Sequence, residues 1–231
     1  MKRCLLLGLA LIVAAPAIAG GENRSAPAVT SRPPLDVLAD FFLPGAPLIA
    51  LIDGECRTGY RTKMSKNADD IALEKAIPGI HDAMVAAASA SCNQAMAGYL
   101  ASHHAAIKAD WSHALAPADL ARLAAMVAPA TQEALDVNVD FRPGDLGADA
   151  VDRMKVTEEQ NQRFERAQRA FAQTPGGVAI LNRVSAYQAK MNASFSNPED
   201  VGAIIRTALV AAHKAANDYA KAKGFESVYR E

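Results

Sequence analysis

The segment HHAAIKADWSH, residues 103–113, gathers the residue types that most often hold a metal ion or move a proton. On a helix, Asp110 and His113 stand three positions apart, where two side chains share a face. His103 precedes Asp110 by two turns, about 10 Å of helix rise, so one ion cannot bridge that pair. A complete ligand set needs a further side chain from another helix, and His213 is the candidate. The set His103, Asp110, His113 and His213 would suit a metal-dependent or hydrolytic enzyme. The competing reading, and the one expected, is surface or packing histidines with Asp110 paired locally to His113, and therefore no metal and no cofactor. The zinc-protease spacing of two histidines four apart around a glutamate does not occur. Nor does a Gly-x-Ser-x-Gly nucleophile elbow. The acid pairs Asp69–Asp70 and Glu158–Glu159 fall at helix starts, where the helix dipole accounts for them.

TPGGVAIL, residues 174–181, is the second stretch that suggests chemistry, because glycine-rich loops at helix starts bind phosphate. A phosphate loop also needs a strand before it and a lysine followed by Ser or Thr within it. Neither is present. Thr174 reads instead as a helix cap and Pro175 as a first helical residue, with Gly176 and Gly177 in the first turn. Val178, Leu181, Val184, Tyr187 and Met191 then mark the expected buried face.

The elements that must position these residues are helices. Alanine is abundant, β-branched runs are scarce, and no stretch alternates long enough to be a strand. A long helix is expected from about Gly79 to Ala114, just after Pro78, with the stripe Ile80, Met84, Ala88, Cys92, Met96, Leu100, Ile107 and Trp111. TEEQ sets Thr157 and Gln160 as a capping box ahead of Phe164, Ala167 and Phe171. A last helix is capped by Asn197, begins at Pro198 and is stopped by Gly224. Its expected apolar face is Val201, Ile204, Ile205, Ala208, Leu209, Ala212 and Tyr219. LDVLADFFLPGAPLIALI, residues 35–52, reads as a core helix, a turn at Pro44 and Pro47, and a second apolar segment; it could alternatively line a groove for an apolar ligand or partner helix. Residues 53–70 and 138–150 read as irregular stretches. The fold class that follows is all-α, an irregular bundle of about five to seven helices.

The chain opens MKRCLLLGLALIVAAPAIAG, with a basic start, an apolar run from Leu5 to Ala15, and small residues at Ala17 and Ala19. That is a secretory signal peptide over residues 1–19, cleaved between Ala19 and Gly20. The apolar run falls well short of the roughly 20 residues that span a bilayer, so no transmembrane anchor is expected. Cys4 precedes the run and cannot serve as a lipoprotein cysteine. Residues 20–34 are polar and rich in Gly, Ser and Pro, a flexible leader, and residues 35–231 make one helical domain. Cys56 and Cys92 remain as an even pair in an oxidising compartment, and a disulfide is expected. Of 24 basic and 25 acidic residues, Lys2 and Arg3 leave with the signal, so the mature net charge is −3. That balance gives no reason to expect nucleic acid as a partner. Arg57, Arg61, Lys63 and Lys66 around Tyr60 form a small basic cluster, read as solvated, with an anionic envelope contact as the alternative.

Two stretches resemble one another when aligned on their prolines, LAAMVAPATQEAL at 123–135 and RAFAQTPGGVAIL at 169–181: each reads as helix end, proline and helix start, which leaves a true repeat an open question. On Leu115, Pro117, Asp119, Leu120 and Pro129, and again on Phe171, Thr174, Pro175 and Gly177, the chain resembles the DUF2059 family of exported bacterial proteins. The resemblance spans about residues 95–195, with Thr131 where the family has glycine and Ala125 where it has an aromatic. It implies an all-helical periplasmic domain and carries over no catalytic residue. The expected function is thus a non-enzymatic, periplasmic binding or envelope-associated domain with a protein or lipid-like partner. The metal-dependent or hydrolytic enzyme on the histidine cluster is the alternative.

Overall fold

The computed structural model describes residues 32–136, 157–195 and 198–229. The signal, the Ala19–Gly20 cleavage point, most of the leader, the 138–150 loop and the Asn197 cap lie outside the described residues. Within them the chain is all-α, an irregular bundle of seven helices if the broken run Pro34–Met64 is taken as one.

That run begins with α1 (Pro34–Phe42), which opens on proline and buries Val37, Leu38, Ala39 and Phe42. It stops at Leu43 because the residue before Pro44 is pushed out of the helical region. α2 (Gly45–Gly54) passes through a π-helical turn, Glu55–Gly59, into α3 (Tyr60–Met64). The expectation of an irregular stretch at 53–70 is therefore corrected: most of it is helical. Gly54 and Gly59 lower helix propensity there, but tertiary anchors override it. Cys56 is joined to Cys92 with Cα atoms 6.5 Å apart. Arg57 pairs with Asp53 at 3.2 Å and Arg61 with Asp82 at 2.7 Å, so half of the basic cluster is committed to ion pairs. By composition the Pro34–Met64 run is apolar and long enough to cross a membrane, yet Val37, Leu38, Leu43, Ile52 and Cys56 are packed in the core.

α4 (Ala68–Ala76) starts at Asn67, whose side-chain oxygen accepts from the Asp69 N–H at 2.9 Å. α5 (Ile80–Ala114) follows, 35 residues and about 52 Å long. Every residue of its expected stripe, from Ile80 to Trp111, is buried. Its first turn is capped by Glu74, which accepts from the N–H of Gly79 at 2.8 Å and of His81 at 3.0 Å. Partial burial alone would raise the Glu74 pKa. Those two N–H donors, with the His81 and Arg61 charges, outweigh it and hold the carboxyl below its usual range.

α6 (Pro117–Leu135) packs against α1, and α7 (Glu158–Ala172) starts with the expected Thr157–Gln160 capping box. α8 (Gly177–Phe195) and α9 (Pro198–Ala222) return antiparallel along α5. Arg183 of α8 reaches the Ala114 carbonyl at one end, and Tyr219 of α9 donates to the Pro78 carbonyl at 3.0 Å at the other.

Three further expectations are corrected. The repeat does not survive, because Pro129 lies inside continuous α6 whereas Pro175 lies in the turn between α7 and α8. Pro129 is exposed, while Val127, Ala128 and Thr131 hold the opposite face in the core, and the Thr131 hydroxyl bonds the Val127 carbonyl at 3.0 Å. Thr174 does not cap α8. Its N–H and hydroxyl both donate to the Phe171 carbonyl, closing α7, while Gly176 takes φ +71° and α8 opens at Gly177. A Cβ on Gly177 would collide with that same carbonyl, so the glycine pair is a tight helix-to-helix turn. Of the expected buried face of α8, Val184 and Met191 are buried and Leu181 and Tyr187 half-buried, whereas Val178 is exposed and Ile180 is buried instead. On α9, Ile204, Ala208, Ala212, Ala216 and Ala220 are buried, whereas Ile205 and Leu209 are each 37% exposed and Val210 is 70% exposed. A helix whose main neighbour is one other helix hides only a narrow stripe, and alanines four apart allow the two backbones close approach.

That close approach is testable. Ala216→Leu is expected to cost about 1–3 kcal/mol by overpacking, read as a lower urea midpoint at unchanged slope. Ala203→Leu, on the exposed side of the same helix, should stay within about 0.5 kcal/mol. Equal losses from the two would mean that α9 does not pack as described.

Candidate functional site

The structure spreads the sequence-derived cluster along α5 instead of gathering it. His103 lies on the Tyr99 ring at 4.0 Å, and its Nδ1 is 2.9 Å from the Tyr99 carbonyl. Asp110 does not pair with His113. It accepts from the Tyr187 hydroxyl at 3.0 Å and lies 3.5 Å from Lys190 Nζ, because α8 runs past this part of α5. His113 is exposed. His104, which the sequence reading left without a role, has Nε2 at 2.8 Å from the Leu43 carbonyl, where it ties α5 to the α1–α2 break. His213 is at the far end of the molecule, stacked on Tyr229, whose hydroxyl lies 3.9 Å from Met84 Sδ. Met84 precedes His113 by 29 residues of one helix, about 44 Å of rise. His213 therefore cannot complete a ligand set with His113, and among the described residues no three His, Cys, Asp or Glu side chains are grouped to hold a metal.

Two other constellations are built. The first surrounds Arg122 of α6. Its guanidinium donates to the Thr174 hydroxyl at 2.6 Å and the Pro175 carbonyl at 3.1 Å, lies over the Phe171 ring at 5.4 Å, and pairs with Asp119 at 3.2 Å. Asp119, one turn away on α6, and Phe171, Thr174 and Pro175, about fifty residues on, thus meet on one cation. Arg122, one residue before the first aligned stretch, clasps the second. No sequence signal marked Arg122. Beside this layer, Phe42 stacks on Trp111 at 5.4 Å and meets Tyr187 at 4.8 Å, a closed aromatic wall.

The second is at the amino-terminal end of α5. After α9, Gly224 takes φ +84°, and the N–H groups of Gly224 and Phe225 bond back to Lys221 and Ala220, a Schellman closure. The chain then doubles back along α9 as far as Tyr229. Asn217, only 4% exposed, holds it there: its side-chain N–H donates to the Tyr229 carbonyl, and its oxygen accepts from the N–H of Val228 and of Tyr229, each at 2.9 Å. The Tyr229 ring lies flat on His213 at 4.1 Å, and its hydroxyl donates to Asp70 at 3.3 Å. The slot is thus made by α4, α5 and α9, with Tyr60 within electrostatic reach. An asparagine inside an alanine-rich helix is the signal that was available, since it competes poorly there unless its side chain has a partner.

Comparison with protein-family models, curated proteins and solved structures finds no match for this chain.

Both constellations make predictions. Arg122→Ala is expected to lose about 1–2 kcal/mol, and Arg122→Lys most of that, since a lysine has one nitrogen where the guanidinium sets Nη1 on Asp119 and Nη2 on Thr174 and Pro175. Full retention of the urea midpoint by the lysine variant would reduce the clasp to a single ion pair. Tyr229 is pushed up to about 12 by burial first and then by Asp70, and Tyr187 to about 12 by burial and then by Asp110. Burial, then Tyr229 and Asp70, raises Tyr60 as well. The folded state therefore holds these protons more tightly than the unfolded chain. Their stabilisation is complete below pH 10.0 and is lost as pH climbs towards about 12. The urea midpoint should fall across that window, less steeply in Tyr229→Phe. A slope unaltered by that substitution would show that Tyr229 is not held as described.

Proposed function

We propose that the chain is exported to the periplasm and acts there as a non-enzymatic binding domain of the cell envelope, as the DUF2059 resemblance also implies. The observation that carries this reading is the fate of its histidines. His103 and His104 face main-chain carbonyls, and His213 is a packing plate for Tyr229, so the groups an enzyme would converge are distributed among structural tasks. Export is supported by the basic, apolar and small-residue pattern of residues 1–19 and by the Cys56–Cys92 pair, which suits an oxidising compartment. A disulfide closing a loop of 36 residues would be worth about 4 kcal/mol in the chain-entropy description, a sizeable share of a domain's stability.

The test is to express the full chain with its own leader in a bacterium and to weigh the intact protein from the periplasmic fraction. Expected are a start at Gly20, no alkylation before reduction, two alkylations after it, and no metal in stoichiometric amount. A chain retained in the cytoplasm with free thiols, or one carrying a metal ion one to one, would overturn the proposal and return the histidines to an enzymatic role.

A further inference from the structure

The carboxyl-terminal strap has the form of a ligand seated in a receptor. It lies outside any helix, bends at Val228 and Tyr229, and is held by α9 through its backbone. All three Asn217 bonds go to main-chain N–H and C=O groups of Val228 and Tyr229. Val228 packs against the core, and Tyr229 enters the slot with its ring on His213 and its hydroxyl towards Asp70 and Met84. Phe225 stays 47% exposed and Glu226 and Ser227 are exposed, so most of the strap's side chains take little part. Backbone hydrogen bonds beside a pocket for an aromatic ring are also the means by which proteins hold short peptides. A buried asparagine is also costly to keep unless its amide and carbonyl are both satisfied. In Asn217 they are satisfied by the strap.

We propose that this slot between α4, α5 and α9 is a binding site for a short peptide segment bearing a tyrosine and bent as Val228 and Tyr229 are, and that residues 225–229 are its tethered competitor. The proposal deepens the reading of the chain as a binding domain and rests on it. Gly224 is the hinge: its left-handed φ of +84° turns the strap back onto its own helix, and a few residues beyond it are all that must lift. Because the strap is joined directly to α9, its effective concentration is in the millimolar range, so a partner competes against a tethered rival. The partner's segment needs a free N–H and C=O pair for Asn217 and a phenol for the Asp70 end. Those are the features Val228 and Tyr229 supply now.

The test uses the full chain and a fluorescent peptide with the sequence of residues 224–231. In Tyr229→Ala the strap keeps its backbone bonds but loses its ring from the slot and competes more weakly, so the peptide should bind at least about tenfold more tightly than to the unaltered chain. Replacing the peptide's tyrosine by alanine should cost at least about tenfold, the worth of burying an aromatic ring, and adding Asn217→Ala to the chain should abolish binding. No saturable binding by a Tyr229→Ala chain of unchanged helical circular dichroism would overturn the slot, without touching the envelope reading, which the mass experiment tests separately. If that variant does not fold, hydrogen exchange on the unaltered chain decides. Val228 and Tyr229 amides that exchange well before those of Ala212 and Ala216 support a strap that opens, and exchange at one common rate overturns it.

Discussion

Everything in this protein is hung on one long helix that cannot bury itself. α5 carries an apolar stripe of nine buried positions from Ile80 to Trp111 and spans about 52 Å, further than any single neighbour covers. Different elements therefore serve different lengths of it. The alanines of α9 cover the first half, α1 and α2 close over its flank, and the aromatic wall of Phe42 and Tyr187 covers Trp111 at the far end. The disulfide joins α2's continuation to the middle of the stripe at Cys92.

The two ends consequently have different characters. At the Trp111 end, large rings fill the space, and Arg122 binds α6 to the turn that launches α8. That end is tightly cross-braced, and its polar groups are spent on bracing. At the Ile80 end the contact is alanine against α5, which brings backbones close but leaves little side-chain volume to cover the flanks. The flank is closed by a strap on a glycine hinge, held by an asparagine that reads main chain. Replaceable contacts belong on such an element. A strap fastened by a few hydrogen bonds and one ring opens at far smaller free-energy cost than the α5–α9 stripe it covers.

How much of this could be read from the sequence follows from which interactions are local. Eight residues of the α5 stripe, all but Val85, were legible, because helical periodicity is a local signal and a long amphipathic run repeats it many times. The Thr157–Gln160 capping box and the stop at Gly224 were legible for the same reason. Residues 53–70 were not, since two glycines and several charges read as loop while the Cys56, Arg57 and Arg61 anchors that hold them helical are tertiary. The register at Thr174 was missed by two residues, because a Thr-Pro pair can open a helix or close the preceding one, and only the Phe171 carbonyl decides. Of the site residues, the histidine cluster looked compact in sequence but is extended in space, because a helix converts ten residues into about 15 Å. Arg122 and Asn217 act on partners 52 and about a dozen residues away, beyond the reach of any spacing rule.

The central claim is geometric: α5 separates its two ends, so that the strap's seat at His213 and the braced end at His113 are remote from each other. The most direct measurement is a pulsed electron-resonance distance between spin labels at positions 113 and 213, in a chain whose Cys56–Cys92 pair is kept oxidised. The account predicts a distance of about 40 Å, set by the 29 residues of α5 between Met84 and His113. A distance below about 15 Å would fold α9 back onto the wrong end of α5. It would remove the strap's slot and make the histidine cluster a site after all.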